Sequence, residues 1–173
     1  MQLQCVVHSA LVATALLLTP VGVAPASAQT GTVIERHGDW SLLADGPAKT
    51  VCFIAATPKE GDAKAPPREG VVLYVSAWPG EGVKTELSVK LGHKTRRGSE
   101  VAISVGAASF KMFAKDDKAF VDDPTRELKV VEAMKKGAKA TVRSEPEKGA
   151  AVTDTFSLAG FGQALQALAT QCP

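Results

Sequence analysis

The sequence predicts a mainly β domain: an antiparallel β-sandwich or flattened barrel with one inserted short helix and a C-terminal helix. Apolar and polar residues alternate over residues 83–91, which is typical of a strand with one buried face. Residues 51–56 and 71–75 are almost wholly apolar, which is typical of central strands covered on both faces. Since only two stretches have helical spacing, most connections lack the helix that parallel strands require.

The other predicted strands repeat this alternation and complete a set of about eight or nine. They cover residues 101–105, 109–114, 118–121, 139–143 and 153–158. Lys115-Asp116-Asp117 has the composition of a hairpin turn between two of them. Residues 57–70 are rich in proline and charge, which indicates a solvated loop.

Two segments have the spacing of amphipathic helices. The first covers residues 124–136 and follows the cap residues Asp123-Pro124; its apolar stripe is Leu128, Val131 and Met134. The second covers residues 160–171; its apolar stripe is Phe161, Leu165, Leu168 and Cys172. We expect the second helix to pack on top of the sheet.

The N-terminal residues predict export. Residues 1–28 contain no Asp, Glu, Lys or Arg, residues 10–19 are apolar, and Ala26-Ser27-Ala28 offers the small residues that a signal peptidase accepts. A signal peptide over 1–28 leaves a single domain over 29–173, and cleavage two residues earlier fits the same pattern. The competing interpretation is an uncleaved membrane anchor, which needs about 20 apolar residues, more than this run has. We therefore expect a periplasmic or secreted protein with no transmembrane segment after cleavage.

The mature chain keeps two cysteines, Cys52 and Cys172, because Cys5 leaves with the signal peptide. An oxidising compartment and the lack of a Cys-x-x-Cys motif favour one structural disulfide over a redox or zinc site. Cys172 continues the apolar stripe of the last helix, and Cys52 lies in a strand that is apolar on both faces. The alternative is two unpaired buried thiols.

Composition and motifs give little support to catalysis. The net charge of +2 gives no electrostatic case for nucleic acid, and 5% aromatic residues offer little stacking surface for bases or sugars. The sequence motifs of zinc peptidases, serine hydrolases and phosphate-binding loops are missing. His37 and Asp39 would share one face of a strand and could bind a metal, but they are half of a site, and ordinary surface polarity also explains them. We predict no enzyme activity, no cofactor and no metal site.

Two sets of residues are candidates for partner binding. Lys94, Arg96 and Arg97 form the one basic cluster, which could dock on an anionic surface or lie in a solvated loop. Trp40 and Trp78 could be exposed platforms for a ligand, or could close the core near strand ends. The sequence leaves both alternatives open.

Several motifs, taken in order, give the chain a resemblance to a known family. They are Gly38-Asp39-Trp40, Cys52, Ser76-Ala77-Trp78-Pro79, the segments 82–88, 134–137 and 153–161, Ala164-Leu165 and Cys172-Pro173. In order and spacing they resemble the invasion-associated locus B family of exported Gram-negative proteins, over essentially the whole mature chain. Many members of that family carry an additional cysteine pair in mid-chain, which is missing here, so the chain resembles a shorter branch.

The resemblance implies a non-enzymatic periplasmic or secreted protein that binds a partner, linked to host-cell interaction or envelope function. The implied partner is a protein, an envelope component or a host surface, and not a nucleic acid. Two other classes stay open: an inhibitor-like or structural module that acts on another exported protein, and a small envelope hydrolase. The family supplies no catalytic motif to carry over to these residues.

Overall fold

The structure, a computed structural model, describes residues 31–45, 49–61, 68 and 70–172. The strands in this part of the chain are β1 (Thr32–His37), β2 (Trp40–Asp45), β3 (Val51–Ala56), β4 (Val72–Trp78), β5 (Val83–Lys90), β6 (Val101–Val105), β7 (Ala108–Lys115), β8 (Lys118–Phe120), β9 (Lys139–Ser144) and β10 (Val152–Ser157). The helices are α1 (Pro124–Lys136) and α2 (Phe161–Gln171), with a short 3-10 turn at Pro79–Glu81. The predicted signal peptide over 1–28 lies outside the described residues, as does part of the loop predicted over 57–70.

All strand pairs are antiparallel, and the ten strands form one sheet in the order β1-β2-β3-β4-β5-β8-β7-β6-β9-β10. The sheet curls into a half-barrel, with α1 inserted between β8 and β9 in the chain and α2 after β10. The predicted fold class is confirmed. The hairpin of β1 and β2 was not predicted, because β1 is exposed along almost its whole length and shows no alternation. Among the described residues, no helix is both long and apolar enough to cross a membrane.

The segment that follows β3 closes the curled sheet against β10. The backbone N–H of Lys59 donates to the carbonyl oxygen of Thr155 at 2.8 Å, and the Thr155 N–H donates to the Glu60 carbonyl oxygen at 2.8 Å. Since β10 is the last strand in the sheet order, these bonds satisfy part of its outer edge. The Lys59 ammonium also lies 2.6 Å from the Asp39 carboxylate, which joins this segment to the turn between β1 and β2.

The core lies inside the curl, between the sheet and the two helices. Trp40, Phe156 and Phe161 are among its largest fully buried side chains. The Trp40 ring meets Phe161 edge to face with 4.9 Å between ring centroids, and its Nε1–H donates to the Ser157 carbonyl oxygen at 3.0 Å. Trp40 therefore closes the core, and the interpretation of this residue as an exposed platform is wrong.

Helix α1 has the predicted bounds but not the predicted stripe. Its buried residues are Glu127, Val130, Val131 and Met134, whereas Leu128 is 61% exposed. The prediction that Leu128 faces the core is wrong, because Glu127 takes the inward position. The Glu127 Oε2 accepts a hydrogen bond from the backbone N–H of Leu87 at 3.2 Å. The pairing of β5 with β8 ends at Ser88, so Leu87 lies just beyond it. The carboxylate thus takes the place of a missing strand partner.

Helix α2 is fixed at both ends. At its start, Gly160 has φ +89°, and a Cβ there would lie 2.0 Å from the His37 carbonyl oxygen, so only glycine permits this crossing. At its end, Cys172 forms the predicted disulfide with Cys52, and their Cα atoms are 6.3 Å apart. The buried face between these points is Phe161, Ala164 and Leu168, with Leu165 half-buried.

A buried ion pair joins the loop between β3 and β4 to β10. Asp154 of β10 is fully buried, and both terminal guanidinium nitrogens of Arg68 donate to its carboxylate oxygens. Arg68 also donates to the carbonyl oxygen of Leu91 at 2.8 Å. Because a buried charge is costly without a partner, each side chain fixes the position of the other.

Candidate functional site

A shallow groove of about 410 Å³ crosses the outer face of the sheet, on the side away from the core. It runs over β3, β4, β5 and β8. Its aromatic lining residues are Phe53, Tyr74, Trp78 and Phe120, which are four of the nine aromatic residues of the chain. Its polar and charged lining residues are Ser76, Glu86, Ser88, Lys90, Asp117 and Lys118.

Strand alternation places the aromatic side chains on the outer face. In β3, Phe53 lies between Cys52 and Ile54, which are both fully buried in the core. In β4, Tyr74 lies between two fully buried residues in the same way. The Phe53 and Tyr74 rings meet edge to face with 5.8 Å between centroids, and burial raises the pKa of Tyr74. The core therefore covers one face of these two strands. On the other face, Ala55 and Val72 are buried beside the two rings, and Phe53 and Tyr74 line the groove.

The sheet register lines up four outward residues across four strands. Tyr74, Ser88, Phe120 and Phe113 stand opposite one another on β4, β5, β8 and β7. Three of these four residues are aromatic, and we call the four the aromatic row. Phe113 is 56% exposed and extends the row beyond the groove. An exposed set of rings on one face is typical of a surface that a ligand or partner covers.

A second row is positively charged. Lys90, Lys118 and Lys115 stand opposite one another on β5, β8 and β7, and we call these three residues the lysine row. It runs beside the aromatic row, two residues along each strand, which is about 6.7 Å. The ion pairs formed within the described residues include none of the three lysines. Like charges that stand directly opposite destabilise a sheet, so this row is a costly arrangement for the free protein.

Glu86 supplies a half-buried carboxylate in the groove. Burial raises its pKa, the neighbouring Glu127 and Glu81 raise it further, and Lys118 acts in the opposite direction. Ser76 stands opposite Glu86 on β4 and adds a hydroxyl group. The groove thus combines apolar rings with a few hydrogen-bonding groups, which is the usual composition of a small-molecule or oligomer site.

The structure separates the two predicted tryptophan candidates. Trp78 lines the groove, whereas Trp40 is buried in the core. The sequence analysis missed Phe53, Tyr74 and Glu86, together with the lysine row. The low aromatic content predicted little stacking surface, but the structure places four of those few rings in one groove. In a strand whose alternate residues are all apolar and face the core, the residues between them face outward. This alternation is the signal that could have identified them.

The predicted basic cluster lies beside the groove and does not line it. Lys94 and Arg97 are exposed, in a loop whose backbone is hydrogen bonded to the turn between β7 and β8. Arg96 instead reaches the loop before β10, where it lies 3.3 Å from the Glu145 carboxylate. Arg96 therefore joins two loops, and Lys94 and Arg97 keep their charges at the surface, next to the lysine row.

The structure corrects the predicted placement of His37 and Asp39 on one strand. His37 ends β1, and Asp39 lies in the turn that leads into β2. The Lys59 ammonium beside Asp39 lowers the pKa of this carboxyl. His37 Nε2 lies 3.4 Å from a Glu35 carboxylate oxygen without the geometry of a hydrogen bond. In the part of the chain that the structure describes, no three His, Cys, Asp or Glu side chains are grouped to hold a metal ion.

Comparisons with known proteins agree with this architecture. Residues 40–169 match the family described as Invasion associated locus B (IalB) protein. Among solved structures, the crystal structure of invasion associated protein b from Bartonella henselae is similar, with a TM-score of 0.55 and 18% sequence identity. The match covers 81% of this chain and 98% of that chain, and at this identity it shows the fold alone. No curated protein matches the chain.

Proposed function

This chain belongs to the invasion associated locus B family, and we propose that it is an exported, non-enzymatic protein that binds a partner through its outer-face groove. The proposed partner is a protein, an envelope component or a host surface. The inner faces of the strands are used by the core, and Leu43, Ala55 and Val72 are buried on the outer face. The part of the outer face that is available to a partner is therefore the groove over β4, β5 and β8.

The observation that carries this proposal is the concentration of aromatic side chains in the groove. Phe53, Tyr74, Trp78 and Phe120 are half-buried there, although the chain has only nine aromatic residues. Apolar rings that remain in contact with water cost free energy, which a ligand recovers by covering them. Charged groups at the edge of such a groove orient the ligand and provide specificity.

Export is the second part of the proposal. The apolar segment that ends in Ala26-Ser27-Ala28 supports it, and the disulfide between Cys52 and Cys172 supports it because such bonds persist in oxidising compartments. N-terminal sequencing of periplasmic or secreted material should give Gln29 as the first residue, or Ser27 if cleavage lies two residues earlier. A protein that retains Met1 in the membrane fraction would overturn this part.

The binding role is tested with two groove variants, Tyr74→Ala and Trp78→Ala. Labelled protein is incubated with isolated cell envelopes and with host-cell membranes, and saturable binding is measured by co-sedimentation. Each substitution removes a contact ring and should weaken binding by at least about tenfold, as expected for the loss of an aromatic anchor.

The matched control is Leu128→Ala, which removes an exposed apolar side chain from α1, outside this groove. Melting curves of all variants establish that they fold. The proposal fails if neither membrane fraction shows saturable binding. It also fails if Tyr74→Ala and Trp78→Ala bind as tightly as the unmodified protein does.

A further inference from the structure

We infer that the groove takes an acidic polysaccharide, a chain of sugar rings that carry anionic groups. This inference rests on the proposed binding role and names the chemistry of the ligand. The sugar rings would lie against the aromatic row, and their anionic groups would meet the lysine row.

The first step is the repetition of the surface. On three adjacent strands, a lysine lies two positions from a residue of the aromatic row, and on β8 and β7 that residue is a phenylalanine. The pairs are Ser88 with Lys90, Phe120 with Lys118, and Phe113 with Lys115. Adjacent strands are about 4.8 Å apart, and the two rows are about 6.7 Å apart. A surface that presents a lysine on three adjacent strands, beside a ring on two of them, matches a ligand built from repeating charged rings.

The second step is charge complementarity. The three lysines stand opposite one another without an ion pair inside the described part of the chain, so an anionic ligand would relieve their mutual repulsion. The carboxylates of Asp116 and Asp117, in the turn between β7 and β8, offset part of this charge. The adjoining loop adds Lys94 and Arg97, which keeps this end of the groove positive.

The third step is the polar floor of the groove. Glu86 presents a carboxylate that only accepts hydrogen bonds when ionised, and sugar hydroxyl groups are suitable donors. Ser76 and Ser88 add hydroxyl groups that both donate and accept. A lipid surface fits less well, because acyl chains would cover the Glu86 carboxylate without supplying a donor. Among these rings Phe113 is largely exposed, whereas Phe53 and Tyr74 lie half-buried in the groove and do not protrude as membrane anchors do.

The test is a titration of the full-length mature protein with fragments of oligogalacturonate, hyaluronan and heparin. Methyl-esterified oligogalacturonate is the matched neutral probe, since it keeps the rings and removes the charge. We expect at least one acidic fragment to bind, and the acid form of oligogalacturonate to bind at least about tenfold more tightly than its ester if it is the ligand. Added salt should weaken the binding of the acidic fragment, because salt screens exposed charges.

The variant that removes the positive edge is Lys115→Glu/Lys118→Glu, and its matched control is Lys129→Glu/Lys139→Glu, which reverses two exposed lysines elsewhere. Lys115→Glu/Lys118→Glu should lower the affinity for the acidic fragment by at least about tenfold and make that affinity less dependent on salt. The control should change the affinity by less than about twofold. Tyr74→Ala should weaken binding of charged and neutral probes alike. Melting temperatures show whether each variant is folded.

Several results would overturn the inference. They are failure of all three acidic fragments to bind, equal binding of the acid and its ester where oligogalacturonate binds, or unchanged affinity in Lys115→Glu/Lys118→Glu. Binding to vesicles of phosphatidylcholine and phosphatidylglycerol in place of the saccharides would assign the groove to a lipid surface. If Tyr74→Ala abolishes envelope binding and no acidic fragment binds, this inference fails while the proposed function stands. If Tyr74→Ala and Trp78→Ala both bind the membrane fractions as tightly as the unmodified protein does, the proposed function itself fails.

Discussion

Opening the disulfide between Cys52 and Cys172 should lower the free energy of unfolding by about 2–5 kcal/mol. The bond joins residues 120 positions apart, and the loop-entropy relation gives about 4.9 kcal/mol for a loop of that length. A domain of about 140 residues unfolds with an entropy of about 0.3 kcal/mol/K near its melting temperature. The melting temperature should therefore fall by up to about 16 °C. Helix α2 has eleven residues and is marginal alone, so its last turn should fray first.

The measurement compares the unmodified protein with Cys52→Ala/Cys172→Ser by calorimetry and by urea denaturation. The double variant avoids leaving one thiol unpaired in the core. A reductant should lower the melting temperature of the unmodified protein toward that of the double variant, and should leave the double variant unchanged. The reasoning is refuted if the double variant melts within about 2 °C of the unmodified protein, because the loop-entropy effect would then be missing. Free thiols at both positions in material from an oxidising compartment would refute it as well.

Three buried or half-buried charges give further expectations. Asp154→Leu removes the carboxylate partner of the Arg68 guanidinium and should lower the free energy of unfolding, measured by urea denaturation, by about 3–5 kcal/mol. The double variant Arg68→Met/Asp154→Leu should recover most of that loss, because it leaves no buried charge without a partner. Glu127→Ala removes the acceptor of the Leu87 N–H and should lower the free energy of unfolding by about 1–3 kcal/mol. Glu127→Gln keeps an acceptor oxygen and should lower it less. Equal losses in the two variants would contradict this role of Glu127. The pKa of Glu86 is raised in the folded state, so its ionised form destabilises the fold. Glu86→Gln should therefore raise the melting temperature at neutral pH, and this gain should disappear as the pH falls below the ordinary value of 4.5. A gain in melting temperature that does not change with pH would contradict the destabilisation by ionised Glu86.

The parts of the fold that the sequence predicted are those in which one physical requirement dominates. Alternation located β5 because Val83, Leu87 and Val89 share its inward face while polar and charged residues lie between them, and the Asp123-Pro124 cap located the start of α1. The disulfide followed from the helical stripe that ends at Cys172. In each case a local pattern and the packing of the whole domain require the same arrangement.

The sequence could not predict those features of the structure for which one sequence pattern fits two different arrangements. Phe53 and Tyr74 lie in continuous apolar runs, and such a run reads the same whether its second face is covered by protein or is open as a groove. Leu128 fits the helical stripe as well as its neighbours do, but in the structure Val130 and Glu127 face inward in its place, with Glu127 accepting the hydrogen bond from Leu87. The lysine row depends on the register of three strands, which no local pattern contains.

The closure of the sheet by Lys59 and Glu60 against β10 has a consequence for the timing of folding. A chain made from its N-terminus presents Lys59 and Glu60 early, whereas Thr155 in β10 is made almost last. Until β10 arrives, the curled sheet cannot close, and the inward faces of the earlier strands lack part of their covering. Completion of the sheet is therefore delayed until synthesis is nearly finished.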